Sequence, residues 1–317
     1  MMTPLFRLLS MLVFTLFFGG CGGTSPENTG GTVSLWVTRD FAGEELFSGE
    51  LQAEAGQSVM ALLKAHLGVE TEYGGGFVNS IGGLASGYTA VSGAKQEKLD
   101  WFYYMNGIAS GVGAVSYFPR HRDVIWWDYH SWGNMPFTPA VIGAFPQPFL
   151  NGYQEHNPKT VILTGDGCSE LGELLAGHFR KIGVAEVEVL PYEEKLAASR
   201  AGITIVIAPW AGLSESNFWK GMQINRDKTG WFAELSPESF HSLNVYGKRQ
   251  ASYDGNAGAI LATGTGLGDP TPLWLLTALD AEDLRQVVEI LLSRPEQLFR
   301  KFGALVVDGE VIGLPVP

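Results

Sequence analysis

Between Asp100 and Trp132 the chain reads DWFYYMNGIASGVGAVSYFPRHRDVIWWDYHSW, and ten of these 33 residues are Trp, Tyr or Phe. Rings at this density need cover on two sides or a cleft to line, because each removes a large apolar area from water while its N–H or O–H still seeks a partner. The spacing indicates strands. Asp123 to Tyr129 alternates Ile125, Trp127 and Tyr129 on one face with Val124, Trp126, Asp128 and His130 on the other. Both faces carry a large ring, so the strand is expected to be covered on both sides or to border a cleft. Asn106-Gly107 is a turn signal, since both residues tolerate positive φ.

Upstream, Val33 to Leu51 reads as a β-hairpin. Gly56-Gln57-Ser58 precedes an amphipathic helix with Val59, Leu62, Leu63 and Leu67 on one side and Ser58 as N-cap. Tyr73 to Leu84 reads as strand, turn, strand. Hairpin, helix and further strands are the element order of a β-grasp domain.

The motifs G-x-F-V-x-S-I-x-G-L ending at Leu84, W-x-x-Y-x-N-G from Trp101, G-x-x-x-Y from Gly113 and D-x-I-x-W-x-Y from Asp123 together resemble the transcobalamin C-terminal-like family. The resemblance covers about residues 32–132. It implies a ligand-binding β-grasp module, of the kind that closes over vitamin B12 in the vitamin carriers, and no catalytic residue to carry over. By motif, the ligand-facing positions it implies are Trp101, Tyr104, Gly113, Ala114, Tyr117, Trp127 and Tyr129, with Asn106 and Gly107 as turn-formers. In the vitamin carriers a helical barrel supplies the other half of the site. The residues before Val33 do not read as one, and the same module occurs in many bacterial surface proteins with other ligands.

Arg7 precedes an apolar run from Leu8 to Phe18, short for a bilayer span, which ends in Phe18-Gly19-Gly20-Cys21. This reads as a lipoprotein signal peptide over residues 1–20 with Cys21 as the lipidated residue, followed by a Gly, Thr and Ser tether over 21–31. The expected location is extracytoplasmic, on a bacterial membrane, held by the lipid. With 33 acidic residues against 21 basic, nucleic acid and anionic lipid are disfavoured partners. Beyond Cys21 the chain has only Cys168, so stability must come from packed cores rather than an internal disulfide.

The β-grasp domain is assigned to 32–133 and a proline-rich linker to 134–158, carrying Pro136, Pro139, Pro146, Pro148 and Pro158. Its Phe137, Phe145, Phe149 and Tyr153 suggest that it packs along a surface. From 159 to 317 strands alternate with helices, which argues for an α/β three-layer domain around a mostly parallel sheet. Strands are expected at Thr160–Thr164, Val187–Leu190, Ile203–Ala208 and Ala259–Thr263, and a helix at Leu171–Ile182 whose His178 is a packing residue. Asp280 starts a further helix, and Leu305 to Ile312 closes the chain as a hairpin around Asp308-Gly309.

Three strands run into small-residue loops: Gly165-Asp166-Gly167, the loop of Trp210, and Gly264 to Asp269 with Gly266 between. In an open parallel sheet such loops gather at the carboxyl edge, the usual ligand crevice. They read either as a second ligand surface facing the aromatic module or simply as tight turns. Enzymatic patterns are weak. Gly264-x-Gly266-x-Gly268 is not the dinucleotide fingerprint, and Ser169 lacks the flanks of a nucleophile elbow. Cys168 reads as structural. His121, Asp123, Asp128 and His130 fall within ten residues, but alternation pairs only Asp128 with His130, and no metal site is assigned. The sequence thus points to a membrane-anchored binding lipoprotein, not an enzyme and without a prosthetic group, that captures cobalamin or a related corrinoid and passes it to a transporter. The alternative is a surface adhesion protein binding a protein or glycan through the module, and a third reading, a hydrolase or nucleotide-dependent enzyme in the α/β half using Asp166, Cys168 or Asp269, stays open.

Overall fold

The computed structural model describes residues 30–72, 76–156 and 159–317. The leader, Cys21 and nearly all of the tether lie outside the described residues, as do Tyr73, Gly74, Gly75 and Pro158.

The first domain opens with an antiparallel hairpin of β1 (Gly31–Arg39) and β2 (Glu44–Ala53). Helix α1 (Val59–His66) starts at Ser58, whose hydroxyl accepts the Ala61 N–H at 3.2 Å. Strands β3 (Val69–Glu72), β4 (Phe77–Ile81) and β5 (Leu84–Ala85) make a small sheet. β6 (Leu99–Met105) and β7 (Ile108–Ala109) are joined by Asn106 and Gly107 at φ 54° and 82°. That is the positive-φ pair a two-residue hairpin requires. With β8 (Val124–Ser131) the main sheet has the order β2-β1-β8-β6-β7, its first and last strands parallel at the centre. This is the β-grasp arrangement. α1 covers one face: Val59, Leu62 and Leu63 are buried with Leu35, Ile125, Trp127 and Tyr129.

The proline-rich segment is ordered structure shared by both domains. Its main chain bonds to the first domain (Ala109 N–H to Pro139 O, 2.9 Å; Val141 N–H to Gly107 O, 2.8 Å) and to the second (Arg300 N–H to Gly143 O, 3.1 Å). Its short helix α2 (Gln147–Asn151) buries Phe149 between Phe179 and Trp274, with ring centroids at 4.8 and 5.1 Å.

The second domain runs β9 (Thr160–Thr164), α3 (Ser169–Ile182), β10 (Val187–Pro191), α4 (Glu194–Ser199), β11 (Ile203–Ile207), α5 (Asn217–Ile224) and α6 (Arg226–Thr229). A separate three-stranded sheet follows: β12 (Ala233–Leu235), β13 (Phe240–Leu243) and β14 (Arg249–Tyr253). The chain ends with β15 (Ala257–Thr263), β16 (Leu273–Ala278), α7 (Ala281–Ser293), β17 (Gly303–Val307) and β18 (Glu310–Leu314). The seven-stranded sheet has the order β10-β9-β11-β16-β15-β17-β18. β10, β9, β11 and β16 are mutually parallel, β15 runs against them, β17 reverses again and β18 closes the hairpin. Five of the seven strands therefore point one way.

Alternation along these strands separates two cores. Ile162, Ile205, Ile260 and Trp274 face α3 and α7. Val161, Val206, Leu261 and Leu275 face the other way, into a core that also takes Trp210, Trp219 and Trp231 and, from the first domain, Trp36, Phe41, Tyr104 and Trp126. One apolar core thus crosses the domain boundary. Phe302, preceding β17, sits 5.1 Å from both Trp126 and Phe41.

Candidate functional site

The register of β6 on β8 sets Trp101 opposite Tyr129, Phe102 opposite Asp128, Tyr103 opposite Trp127 and Tyr104 opposite Trp126. On the α1 side the rings pair: Trp101 with Tyr129 at 5.2 Å and Tyr103 stacked on Trp127 at 4.7 Å and 19°. Trp101 donates its indole N–H to Leu84 O, and the Tyr129 hydroxyl donates to Ala85 O, both at 3.1 Å. The Gly113 to Tyr117 loop caps α1: Ala114 O and Tyr117 O accept the N–H groups of Met60 and Val59, and Gly113 O accepts from Ser116 in a tight turn. The Tyr117 hydroxyl accepts the Gln154 N–H at 2.8 Å. Burial holds the phenols of Tyr104 and Tyr117 far above their ordinary range, so neither serves as a base. Of the seven ligand-facing positions the resemblance implies, Trp101, Ala114, Tyr117, Trp127 and Tyr129 are packed in the α1 core. Trp101 and Tyr104 border a cavity.

That cavity, of about 580 Å³, is lined by four successive residues, Trp101 to Tyr104. Alternate side chains of a strand leave opposite faces, so four in a row share one cavity only where it runs along the strand's edge. β6 offers such an edge because β7 pairs with it only at Tyr104 and Met105. Phe77 of β4 and Ala109 and Ser110 flank it on the first domain, and Trp132 follows β8. Pro136, Phe137 and Thr138 come from the bridging segment, and Leu267 from the second domain. The site is therefore a seam between domains, a common position for ligand pockets. Phe77, Phe137 and Leu267 are also 40, 50 and 58% exposed, so they form an apolar rim at the mouth.

Leu267 reaches this seam through a reversal that corrects the sequence reading. The loops of Gly165, Asp166 and Gly167 and of Trp210 do lie together at the carboxyl edge, where Gly165 N–H bonds to Ile207 O at 2.9 Å. Gly264, Gly266 and Asp269 do not join them. β15 is antiparallel to β16, so Thr263 aligns with Leu273 and thereby with Thr204 at the start of β11, at the opposite edge. There the loop meets the first domain: Gly268 N–H bonds to Ala109 O at 2.7 Å, and a Cβ at Gly111 would stand 3.0 Å from Leu267 O. Asp269 holds the loop closed. It accepts from the N–H and hydroxyl of both Thr265 and Thr271 at 2.7–3.0 Å and from Arg200 at 3.0 Å. Burial alone would raise its carboxyl, but these bonds outweigh it and hold it below the usual carboxylate range. At the carboxyl edge Trp210 is a core ring, and Gly165 is glycine because a Cβ would lie 2.7 Å from that of Ala208.

The cavity's polar lining combines the Asp100 carboxylate with the hydroxyls of Tyr103, Tyr104, Ser110 and Thr138. Asp100 accepts from the Ser86 hydroxyl, from Thr89 at 3.2 Å and from Trp132 Nε1 at 2.9 Å. Thr138 lines the cavity, its buried hydroxyl turned to the Tyr104 phenol. No Lys or Arg is among the lining residues. His130 stands on the same β8 face as Asp128, as alternation requires, with Nδ1 2.7 Å from the Asp128 carboxylate. Its ring is sandwiched between Phe41 at 4.3 Å and Phe102 at 4.4 Å. Phe41 arrives by an uncommon route. Asp40, Phe41 and Ala42 are all left-handed, at φ 56°, 58° and 64°, and the N–H groups of Phe41 and Ala42 donate to Asp128 at 3.1 and 2.9 Å. Asp123 is engaged elsewhere, by Asn106 Nδ2 at 2.8 Å and Asn151 Nδ2 at 2.7 Å, so it does not join the Asp128–His130 pair. Cys168 is buried before α3, and burial pushes its thiol up, away from reactivity.

Sequence reasoning missed Phe77, Phe102, Tyr103, Trp132, Phe137 and Leu267. For Phe102 and Tyr103 a signal existed: the strand partner beyond β6 is short, which leaves its edge open.

A family model described as a domain of unknown function, DUF4430, matches residues 56–131, from the start of α1 to the end of β8. None of the curated proteins compared matches the chain. Among solved structures, haptocorrin in complex with Cbi, cobinamide, is similar over 33% of this chain and 26% of its own, at 14% identity and a TM-score of 0.27. This chain thus spans about a quarter of the haptocorrin length. A protein from Ruminococcus gnavus ATCC 29149, described as a candidate metal binder, is similar over 32% of this chain and 97% of its own, at 9% identity and a TM-score of 0.24. Likeness of this degree says nothing of the ligand, which has to be read from the cavity.

Proposed function

We propose that this is an extracytoplasmic, membrane-anchored binding lipoprotein that captures cobalamin or a related corrinoid at the seam between its domains and releases it to a membrane transporter, with no turnover of its own. One observation carries the reading: a cavity of about 580 Å³ in which seven of fourteen lining residues are Phe, Tyr or Trp, opening onto an apolar rim. Rings give a flat ligand a large contact area at little entropic cost, and the rim offers further area to a ligand wider than the cavity. A macrocycle lying across the mouth, with polar arms reaching inward, suits that shape. Lipidation at Cys21 and export by the leader belong to the same proposal.

Calorimetric and visible-absorbance titration of the purified protein with cyanocobalamin and cobinamide tests it. Saturable one-to-one binding at submicromolar affinity, weakened at least tenfold by Phe102→Ala or Trp132→Ala, is the expected result. Absence of heat and of any spectral change removes corrinoids. The exposed rim also suits an apolar anchor from a protein partner, and in that event capture of a protein or glycan would replace the corrinoid reading.

A further inference from the structure

The least explained group in the cavity is His130. Its side chain is 3% exposed, both ring faces are covered by phenyl rings, and its Nδ1 edge is spent on Asp128. What remains for the cavity is the Nε2 edge, to which no hydrogen bond from the described residues is made.

The network behind it fixes which nitrogen carries the hydrogen. Asp128 receives the N–H groups of Phe41 and Ala42, which can only donate. It also receives the Thr38 hydroxyl, which accepts the Trp126 indole N–H at 2.8 Å and so must turn its own hydrogen to Asp128. The carboxylate is an acceptor to every neighbour. Its remaining partner, Nδ1 of His130, therefore brings the hydrogen, and in the neutral ring this leaves Nε2 as an acceptor. Packing does not require this arrangement. A phenyl ring would stack between Phe41 and Phe102 as well, but it would present no nitrogen to the cavity.

Two further facts define the donor. The Nε2 edge offers a single nitrogen, so it receives one hydrogen from one arm. The lining holds the Asp100 carboxylate and no Lys or Arg, so an anionic arm would meet a like charge, with hydroxyls but no cation of the lining to receive it. We propose that the cavity selects ligands carrying an uncharged N–H or O–H donor on a side arm, received by the Nε2 lone pair of His130, with Asp128 as the positioning residue that holds this acceptor in place. The proposal rests on the reading that the cavity is the ligand site and adds the chemistry it discriminates: carboxamide or hydroxyl arms over carboxylate arms.

The test uses matched probes. Cobinamide, whose arms are amides, is expected to bind at least tenfold more tightly than cobyrinic acid, whose arms are carboxylates. His130→Phe, which keeps the stack, should cut that preference to threefold or less by weakening the amide form. A preference unchanged in His130→Phe overturns the proposal while leaving corrinoid capture standing. Nitrogen-15 NMR of histidine-labelled wild-type protein gives a second readout independent of corrinoids. Nε2 of His130 should resonate as an unprotonated nitrogen and move on addition of indole-3-acetamide but not indole-3-acetate. A protonated Nε2 in the free protein, or no movement with the amide, overturns the proposal. Movement with the amide and no binding of any corrinoid supports it and refutes the corrinoid reading instead.

Discussion

The two faces of the β6–β8 pair carry similar rings and meet different fates. On the α1 side Trp101 pairs with Tyr129 and Tyr103 with Trp127, and Trp127 and Tyr129 close against the helix while Trp101 and Tyr103 also reach the cavity at the edge of β6. On the other side Trp126 and Tyr104 enter a core shared with the second domain, but the cover stops short of Phe102 and His130 and a cavity remains. Ring density alone therefore marks buried surface. A cavity remains where the cover comes from the bridging segment and the second domain and stops at the edge of β6.

The sharpest way to break this comparison is at the shared core. Trp126→Ala should cost about 3–5 kcal/mol. Because Trp126 touches Phe302 of the other domain, chemical denaturation should still show one transition, shifted as a whole. Two separated transitions would mean that the domains fold independently. Next in size is Asp128→Ala, which strands the donors of Phe41, Ala42 and Thr38 and should cost about 3 kcal/mol by the same measurement. A cost below about 1 kcal/mol would show that the network is incidental.

Asp269→Asn should cost about 2 kcal/mol and free the Leu267 loop, lowering ligand affinity as well. Its pH dependence has a definite sign. The folded carboxyl lies below its ordinary value of 3.8, so its contribution is present above that value and is lost as pH falls through the lower folded one. Melting temperatures of wild type and variant should therefore converge as pH drops below about 4. The smallest effect on stability is expected for Phe137→Ser at the exposed rim, within about 0.5 kcal/mol, while ligand affinity falls. Loss of stability without loss of affinity would reassign the rim to packing.

Much of this was legible in the sequence. Ser58, Asn106-Gly107, Asp280 and Asp308-Gly309 each mark the boundary or turn they form, because capping and positive φ are local demands. Alternation placed Asp128 and His130 on one face. The direction of β15 was missed because β16, LWLLTA, is buried on both faces and shows no period. Once β16 is recognised, the nine-residue connection from Thr263 to Leu273 is too short for a parallel crossover, and the reversal follows. The small sheet β12 to β14 was also missed, since its short strands pack by tertiary contact. The cavity was out of reach because it depends on how closely two domains fit, which no local pattern records.

The three left-handed residues at the end of the first hairpin bear on the order in which the chain assembles. Each left-handed non-glycine residue is unfavourable by itself, by roughly 1–2 kcal/mol. What compensates Asp40, Phe41 and Ala42 is a carboxylate more than eighty positions downstream. The β1–β2 turn thus has no reason to form early, although hairpins are ordinarily among the quickest elements to appear. It is set only when β8 docks beside β1, so this turn is among the last to be fixed, and mutations in it should speed unfolding while leaving the folding rate nearly unchanged.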